Sequence, residues 1–371
     1  MFGFLRIFKL WDWWLVGVVL GLVALGLVAL ASITLSAGQT GLLWRQMLWV
    51  GVGAVFMVVA SFVDYRAFFT SSRVVLVWYG LVLALLGFLL FFGPTIRGTT
   101  SWLKFGGILS FEPVEAAKLV TILLLAKYFS ARHLELKRVR HVVISAVYIV
   151  LLAGLVFLQP DIGSVFVLIA IWFGMILIAG LSLRQAAATL LVGAVLVAFA
   201  WGFVLHDYQR ARLVSFVRPA ADPQGIGYQA RQAIIAVGAG GVFGQGVGHG
   251  TQTGYGLLPE ATSDFIFAAF AEEWGLVGVT IMLALFGLVF WRVFRAAEEA
   301  PNNFARLYGS GLLVMLMVQV GVNIGMNLGL LPITGLPLPF VSYGGSSLVV
   351  LFAALGILQG IRVRGAEGLA P

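Results

Sequence analysis

Long apolar stretches alternate with short polar segments along most of the chain. A helix of about 20 apolar residues crosses the hydrocarbon core of a bilayer, and ten stretches approach that length. The pattern therefore predicts one all-α membrane domain over residues 1–371, a bundle whose short connections make successive helices antiparallel neighbours. The predicted spans cover approximately residues 11–33, 44–63, 73–92, 112–129, 142–159, 162–180, 185–205, 265–291, 308–331 and 344–362.

One polar interruption is much longer than the others, and it covers residues 207–264. This segment is rich in glycine, contains four arginines and ends in the sequence from Leu258 to Asp264. A second irregular segment, from Gly93 to Ser110, is too polar for a span. Loops of this length in a compact domain usually carry function. We therefore expect the chemistry of the protein in segment 207–264.

Composition and charge narrow the class of protein. Apolar residues make up 61% and charged residues 10% of the chain, which excludes a soluble globular domain. The absence of cysteine excludes disulfides, thiolate metal sites and a cysteine nucleophile. The net charge of +8 does not indicate nucleic-acid binding, because most basic residues lie on one side of the predicted bundle.

That side contains both termini and the loops near 64–72, 130–141, 181–184 and 292–307. Its densest basic cluster comprises Arg132, Lys137, Arg138 and Arg140. Positive residues stay in the cytoplasm during insertion, so both termini are expected inside and segment 207–264 outside. The cluster is explained by this topology alone, although it would also suit anionic lipid headgroups.

Asp264 is the first candidate for chemistry, since it lies where the long segment enters a predicted helix. With Glu260 four residues earlier, it could act as a general base on a substrate hydroxyl or bind a divalent cation. The alternative is structural: Ser263 or Asp264 could cap the helix by accepting its unpaired N–H groups.

Other carboxylates fall within the predicted spans. Glu115 and Lys118 are three residues apart, which places them on one helix face as an ion pair, and Asp161 could join them. Such a network either locks helices together or forms a cavity wall that acts on substrate. Glu272 and Glu273 are functional candidates for the same reason, or else buried partners of an arginine.

Outward-facing basic residues form the candidate substrate-binding set, because guanidinium groups bind phosphate through paired hydrogen bonds. Anchoring to lipid headgroups is the alternative for each of them. The set comprises Arg97, Lys104, Arg210, Arg212, Arg218 and Arg231, with Trp102 beside them. The glycines from Gly238 to Gly246 lack the ending of a phosphate-binding loop, so we expect them to permit close backbone contacts instead.

Four stretches of the sequence resemble the SEDS (shape, elongation, division and sporulation) family, and in particular its elongation branch. They run from Trp102 to Lys118, from Gln159 to Ser164, from Asp222 to Phe267 and from Asn323 to Ser347. On these motifs the family's essential aspartate corresponds to Asp264 and its important tryptophan to Trp102. Its intramembrane polar residues correspond to Glu115, Lys118 and Asp161. The chain departs from the family pattern at Thr262, where histidine is common, at Ser263, where threonine is common, and at Ser101, where arginine is common.

The resemblance implies a peptidoglycan glycosyltransferase of the bacterial cytoplasmic (inner) membrane that polymerises lipid II at the outer face during cell elongation. It implies inversion at the anomeric carbon, undecaprenyl pyrophosphate as the leaving group and a class B penicillin-binding protein as the transpeptidase partner. We expect Asp264 to be the base, aided by a divalent cation such as Mg²⁺ or Mn²⁺, with no organic cofactor. The alternatives are a lipid II flippase and a non-catalytic scaffold for the partner.

Overall fold

The computed structural model describes residues 8–36, 41–94, 101–105, 109–132, 139–203, 209–210, 214–216 and 225–367. Within these ranges ten long helices match the ten predicted spans one to one, so the all-α prediction is confirmed. They are α1 (Trp13–Ser36), α2 (Gly41–Phe62), α4 (Ser72–Phe92), α5 (Pro113–Ser130), α6 (Val139–Leu158), α7 (Ile162–Ile178), α8 (Leu183–Phe203), α11 (Ile266–Glu298), α12 (Asn303–Asn327) and α13 (Gly345–Glu367).

Short elements complete the described part of the chain. They are α3 (Arg66–Thr70), β1 (Leu103–Phe105), β2 (Leu109–Phe111), α9 (Ile226–Ala239) and α10 (Thr251–Gly254). The two strands form an antiparallel hairpin in which Leu103 pairs with Phe111. The hydrophobic pattern did not predict this hairpin, because strands of three residues are too short to show a period of two.

Eight of the described long helices are apolar and long enough to cross a membrane. Helix α7 is shorter, at 17 residues, and α5 contains Glu115, Lys118 and Lys127. Helix α11 packs between α1 and α12, α12 also packs against α5 and α7, and α13 lies against α2. The interior of α5 is therefore covered by protein, which permits charged side chains within it.

Two contacts with α11, one from Asp12 just before α1 and one from Ser32 within α1, mark the two ends of the bundle. At one end the Asp12 carboxylate accepts hydrogen bonds from Arg292 at 2.6 Å and Arg362 at 2.9 Å. At the other end the Ser32 hydroxyl donates to Glu273. These contacts are separated by about 20 residues of helix, or about 30 Å, which equals the hydrocarbon thickness of a bilayer. We call the end with Asp12 the termini face and the end with Ser32 the loop face.

Glu272 and Glu273 thus lie at the edge of the membrane rather than near its midplane. Glu272 accepts hydrogen bonds from the backbone N–H groups of Gln252 (2.7 Å) and Thr253 (3.1 Å), where α10 begins, and from the Thr251 and Thr253 hydroxyls. Glu273 accepts from Gly248 as well as Ser32. Among the described residues, N–H groups and hydroxyls bind these two glutamates in place of an arginine. The prediction that the glutamates are buried partners of an arginine is therefore wrong for this part of the chain.

The glycine-rich loop enters a kink of α11 at Gly275, whose φ of 61° and ψ of −164° are non-helical. Leu276 and Val277 donate to the carbonyls of Gly241 and Val242, while Gly246 donates to Glu273. A Cβ at Gly244 would lie 2.0 Å from the Glu273 carbonyl oxygen. The prediction that these glycines permit close backbone contacts is therefore confirmed.

Gly275→Ala is expected to destabilise the protein. Its φ and ψ belong to a region that only glycine adopts readily, at a cost of about 1–3 kcal/mol for other residues. The added Cβ would also lie 2.3 Å from the backbone nitrogen of Gly244. Thermal unfolding in detergent would measure the loss. Gly287→Ala in the same helix is the control, because its Cβ would meet nothing within 4 Å and alanine favours helix; equal unfolding temperatures for the two variants would contradict the prediction.

Candidate functional site

Asp264 lies at the loop face, immediately before α11. The helix begins at Ile266 with Phe265 in the N-cap position. The prediction that Ser263 or Asp264 caps this helix is therefore wrong. The carboxylate Oδ2 instead lies beside Gly335, where an added Cβ would be 3.6 Å away. Asp264 as a whole is half-buried.

Two asparagines of α12 fix the backbone at Asp264. The side-chain amides of Asn323 and Asn327 each donate to the Asp264 carbonyl at 3.0 Å. Asn323 also donates to the Leu336 carbonyl at 2.7 Å, and the Asn327 oxygen accepts from the N–H of Ala268 at 3.1 Å. Asn327 thus caps α11 from a neighbouring helix. Both residues are fully buried, so the position of Asp264 is set by α12.

The segment before α13 holds the same loop from the other side. The Ser342 hydroxyl donates to the Ser263 carbonyl at 2.6 Å, and the Tyr343 N–H donates to the Thr262 carbonyl at 2.9 Å. Glu260 has a positive φ of 52°, and its carboxylate accepts from the Ser263 hydroxyl at 3.2 Å. The second predicted catalytic residue is thereby placed within the loop that carries Asp264.

Asn327→Ala is expected to lower both stability and activity. The change leaves the Ala268 N–H without its acceptor and removes one donor to the Asp264 carbonyl, at about 1–3 kcal/mol for each buried polar group left unpaired. Unfolding in detergent and the rate of the reaction proposed below would be measured together. Asn303→Ala, at the first residue of α12 and away from the site, is the matched control, and the prediction fails if the two variants behave alike.

The predicted ion pair in α5 is confirmed. Lys118 Nζ lies 2.7 Å from Glu115 Oε1, and the two side chains are 1% and 5% exposed. Asp161 occupies the N-cap of α7, where its carboxylate accepts from the Ser164 N–H at 3.0 Å. Asp161 therefore caps α7. The prediction that it joins the Glu115–Lys118 pair in one hydrogen-bonded network is not confirmed.

The pKa of Glu112 depends on these groups and also on Asp264. It lies outside α5, in the N-cap position of that helix. Burial raises the pKa of Glu112 well above its ordinary value, and the nearby carboxylates of Glu115, Asp161 and Asp264 raise it further, while Lys118 opposes them. The carboxylates of Glu115, Asp161 and Asp264 therefore all act on the pKa of Glu112. Sequence reasoning missed Glu112, Asn323 and Asn327, although an asparagine pair four residues apart in an apolar helix was a usable signal.

The predicted substrate-binding residues are only partly placed. Arg97, Arg212 and Arg218 lie outside the described residues, and the side chain of Lys104 is also outside them. Trp102 immediately precedes β1 and is half-buried. Arg231 is exposed on α9, and Arg210 Nη2 donates to the Gly202 carbonyl at 3.3 Å. Their shared role in binding stays a prediction.

A divalent cation would find few protein ligands at this site. Among the described residues no group of three or more His, Asp or Glu side chains is close enough to bind a metal ion. Asp264 and Glu260 supply carboxylate oxygens, the ligand type that Mg²⁺ prefers, and Mg²⁺ usually completes its shell with substrate phosphates and water. The residues therefore fit a cation shared with a phosphorylated substrate rather than one held in an all-protein site.

Known proteins resemble the chain over nearly its whole length. The family model for FtsW, RodA and SpoVE, described as cell cycle proteins, matches residues 11–366. The peptidoglycan glycosyltransferase MrdB of Escherichia coli K12 is 36% identical over 345 residues, which cover 93% of this chain and 92% of MrdB. A probable peptidoglycan glycosyltransferase FtsW of Thiomicrospira cyclica is 37% identical over 360 residues, which cover 93% of this chain and 89% of that protein.

Solved structures show the same fold. A structure described as the coordination of polymerization and crosslinking by a peptidoglycan synthase complex has a TM-score of 0.84 and 35% identity, covering 96% of this chain and 99% of that one. The rod shape determining protein RodA of Thermus thermophilus has a TM-score of 0.71 and 33% identity, covering 95% of this chain and 96% of that one.

Proposed function

Because the chain belongs to the FtsW/RodA/SpoVE (SEDS) family, we propose that it is a peptidoglycan glycosyltransferase that polymerises lipid II. The observation that carries this proposal is the fixation of Asp264 at the loop face by Asn323 and Asn327. A base must be held in place relative to the hydroxyl that it deprotonates. Relatives named peptidoglycan glycosyltransferase support the reaction class.

The reaction joins two lipid-linked disaccharides. The 4-hydroxyl of the incoming GlcNAc attacks the anomeric carbon of the MurNAc at the end of the growing strand, and undecaprenyl pyrophosphate leaves. Asp264 accepts the proton of the attacking hydroxyl, while Glu260 tunes the site. Segment 207–264 and its arginines bind the leaving pyrophosphate, where negative charge grows in the transition state. A divalent cation, when bound by Asp264 or Glu260, would supply further stabilisation of that charge.

The position of the site suits a substrate that is anchored in the membrane. Basic residues are concentrated at the termini face, and positive residues stay in the cytoplasm during insertion, which supports a cytoplasmic termini face and a loop face outside the cytoplasmic membrane. A class B penicillin-binding protein is the expected partner, and the similarity to a peptidoglycan synthase complex that coordinates polymerization with crosslinking supports it. The elongation branch of the family is favoured by the motifs around Asn323 and Pro337.

A lipid transporter is the second candidate, favoured by the Glu115–Lys118 pair buried in α5. The deciding experiment incubates the purified protein and its partner with lipid II while a β-lactam blocks transpeptidation. Glycan polymer is the expected product. Absence of polymer with every divalent cation tested, together with movement of lipid II across vesicles, would replace the polymerase proposal with the transporter.

A further inference from the structure

A cavity of about 430 Å³ lies between α6, α7 and α8, far from Asp264. Its walls include Val143, Val147 and Val150 of α6, Trp172 of α7 and Ala188 of α8. The volume is within the range of about 300–1,000 Å³ that is typical of ligand sites. The Trp172 indole N–H donates to the Ser145 hydroxyl at 2.9 Å, so this bond holds the ring in the cavity wall.

The cavity belongs to the half of the membrane at the termini face. Its lining runs along α6 from Val139 to Leu151, beginning at the end of the helix on that face. Twelve helical steps span about 18 Å, close to the depth of one leaflet of a hydrocarbon core of about 30 Å. The lining of α8 from Gln185 to Val192 likewise begins near its first residue.

The walls of the cavity are chemically apolar. Its two polar lining residues are paired locally, because the Gln185 oxygen accepts from the Ser182 hydroxyl at 2.9 Å and the Thr189 hydroxyl donates to the Gln185 carbonyl at 2.8 Å. Only 6% of the residues in the most apolar 18-residue stretch of α8 are buried against protein. Ala186 is the single buried residue of this helix. A hydrocarbon chain therefore matches the surface and reaches it from the bilayer.

The rim of the cavity at the termini face is cationic. Arg140 is next to the lining residue Val139, and Arg184 is next to Gln185; both side chains are exposed. Arg132 lies 4.5 Å over the ring of Tyr128, whose hydroxyl bonds with His141 on α6. The sequence from Val139 to Val192 contains one acidic residue, Asp161, and it caps α7 at the loop face. Positive charge at this rim is thus not neutralised by a carboxylate of these helices.

We propose that this groove is a binding site for an anionic glycerophospholipid of the cytoplasmic leaflet. One acyl chain occupies the cavity between α6 and α8, and the phosphate binds Arg140 and Arg184, whose guanidinium groups suit phosphate oxygens. The bound lipid completes the packing of α8, the least buried of the eight apolar helices. The lipid is distinct in leaflet and in headgroup from the proposed glycan substrate, which reacts at the opposite face.

The absence of cysteine permits a direct test in the full-length protein. Ala188→Cys places one thiol in the cavity for a fluorescent label. Val77→Cys, on the exposed face of α4, is the matched control, because each residue is the sixth of its helix from the termini face. Both variants are reconstituted in phosphatidylcholine vesicles that contain a minor fraction of chain-nitroxide phosphatidylglycerol or, separately, chain-nitroxide phosphatidylcholine.

The expected result is stronger quenching of the label at position 188 by phosphatidylglycerol than by phosphatidylcholine, with equal quenching by both at position 77. Arg140→Gln and Arg184→Gln should each reduce the preference about five-fold, since a basic residue near the surface contributes about a factor of five to binding an anionic lipid. Equal quenching by both lipids at position 188 would overturn the proposal. So would a label that neither lipid quenches, which would mean that α8 closes the groove, or displacement of the nitroxide lipid by undecaprenyl pyrophosphate alone, which would assign the groove to the substrate tail.

Discussion

Asp264→Asn is expected to reduce the rate of glycan polymerisation about 10²–10⁴-fold, the usual contribution of a general base. The substitution keeps the size of the side chain and removes its negative charge. The contacts that fix this position should survive, because Asn323 and Asn327 bind the Asp264 carbonyl rather than its carboxylate. The loss should therefore appear in the rate and not in the thermal unfolding of the protein, measured side by side.

Glu260→Gln is the matched control for that experiment. Glu260 belongs to the same loop, and its carboxylate accepts a hydrogen bond from Ser263 that the glutamine oxygen can also accept. We expect its rate to fall by much less than that of Asp264→Asn. Polymer formed by Asp264→Asn at the wild-type rate would remove Asp264 from the chemistry. An equal loss in both variants would instead indicate that the two carboxylates act as a unit, as ligands of one cation would.

The scaffold of this protein could be predicted from its sequence because its determinants are local. Runs of about 20 apolar residues define the spans, and the ends of α4 and α7 fall within two residues of the prediction. The Glu115–Lys118 pair could be predicted for the same reason, since a spacing of three places both side chains on one helix face.

The site required information that local patterns do not contain. Ala268 is capped by Asn327, which is 59 positions away in the sequence, so the nearby Ser263 and Asp264 were the wrong choice for a cap. The partners of Glu272 are backbone N–H groups and threonine hydroxyls of α10, and a sequence does not show which backbone N–H groups a carboxylate will bind. A buried carboxylate in a sequence suggests a cationic partner. In this fold, hydrogen-bond donors of a loop bind the carboxylate instead.

This arrangement also explains how a long loop can be held without a separate domain. The carboxylates of Glu272 and Glu273 bind the loop on one side of the kink at Gly275. Asn323 and Asn327 of α12 bind the loop that carries Asp264, immediately before α11 begins. Both sets of contacts use helices that cross the membrane, so the rigidity of the bundle is transmitted to the proposed catalytic carboxylate.

Lys118→Met is expected to destabilise the protein by about 3–5 kcal/mol, the usual cost of removing one partner from a buried ion pair. Methionine fills a similar volume, but Glu115 would then remain inside the bundle without its cation at 2.7 Å. Thermal unfolding in detergent would measure the loss. The control is the double variant Glu115→Gln/Lys118→Met, which removes both charges and should recover most of the stability, because a buried ion pair replaced as a whole often costs little.

Polymerase activity of the double variant then separates two roles of the pair. Glu115 and Lys118 act on the pKa of Glu112, and so does Asp264. A pair that only joins helices predicts that activity returns together with stability. We expect stability to return and activity to stay low, since removal of both charges changes the electric field at a site whose chemistry depends on charge. Full activity in the stable double variant would assign the pair to folding alone, and a double variant as unstable as Lys118→Met would show that the methionine, rather than the unpaired glutamate, causes the loss.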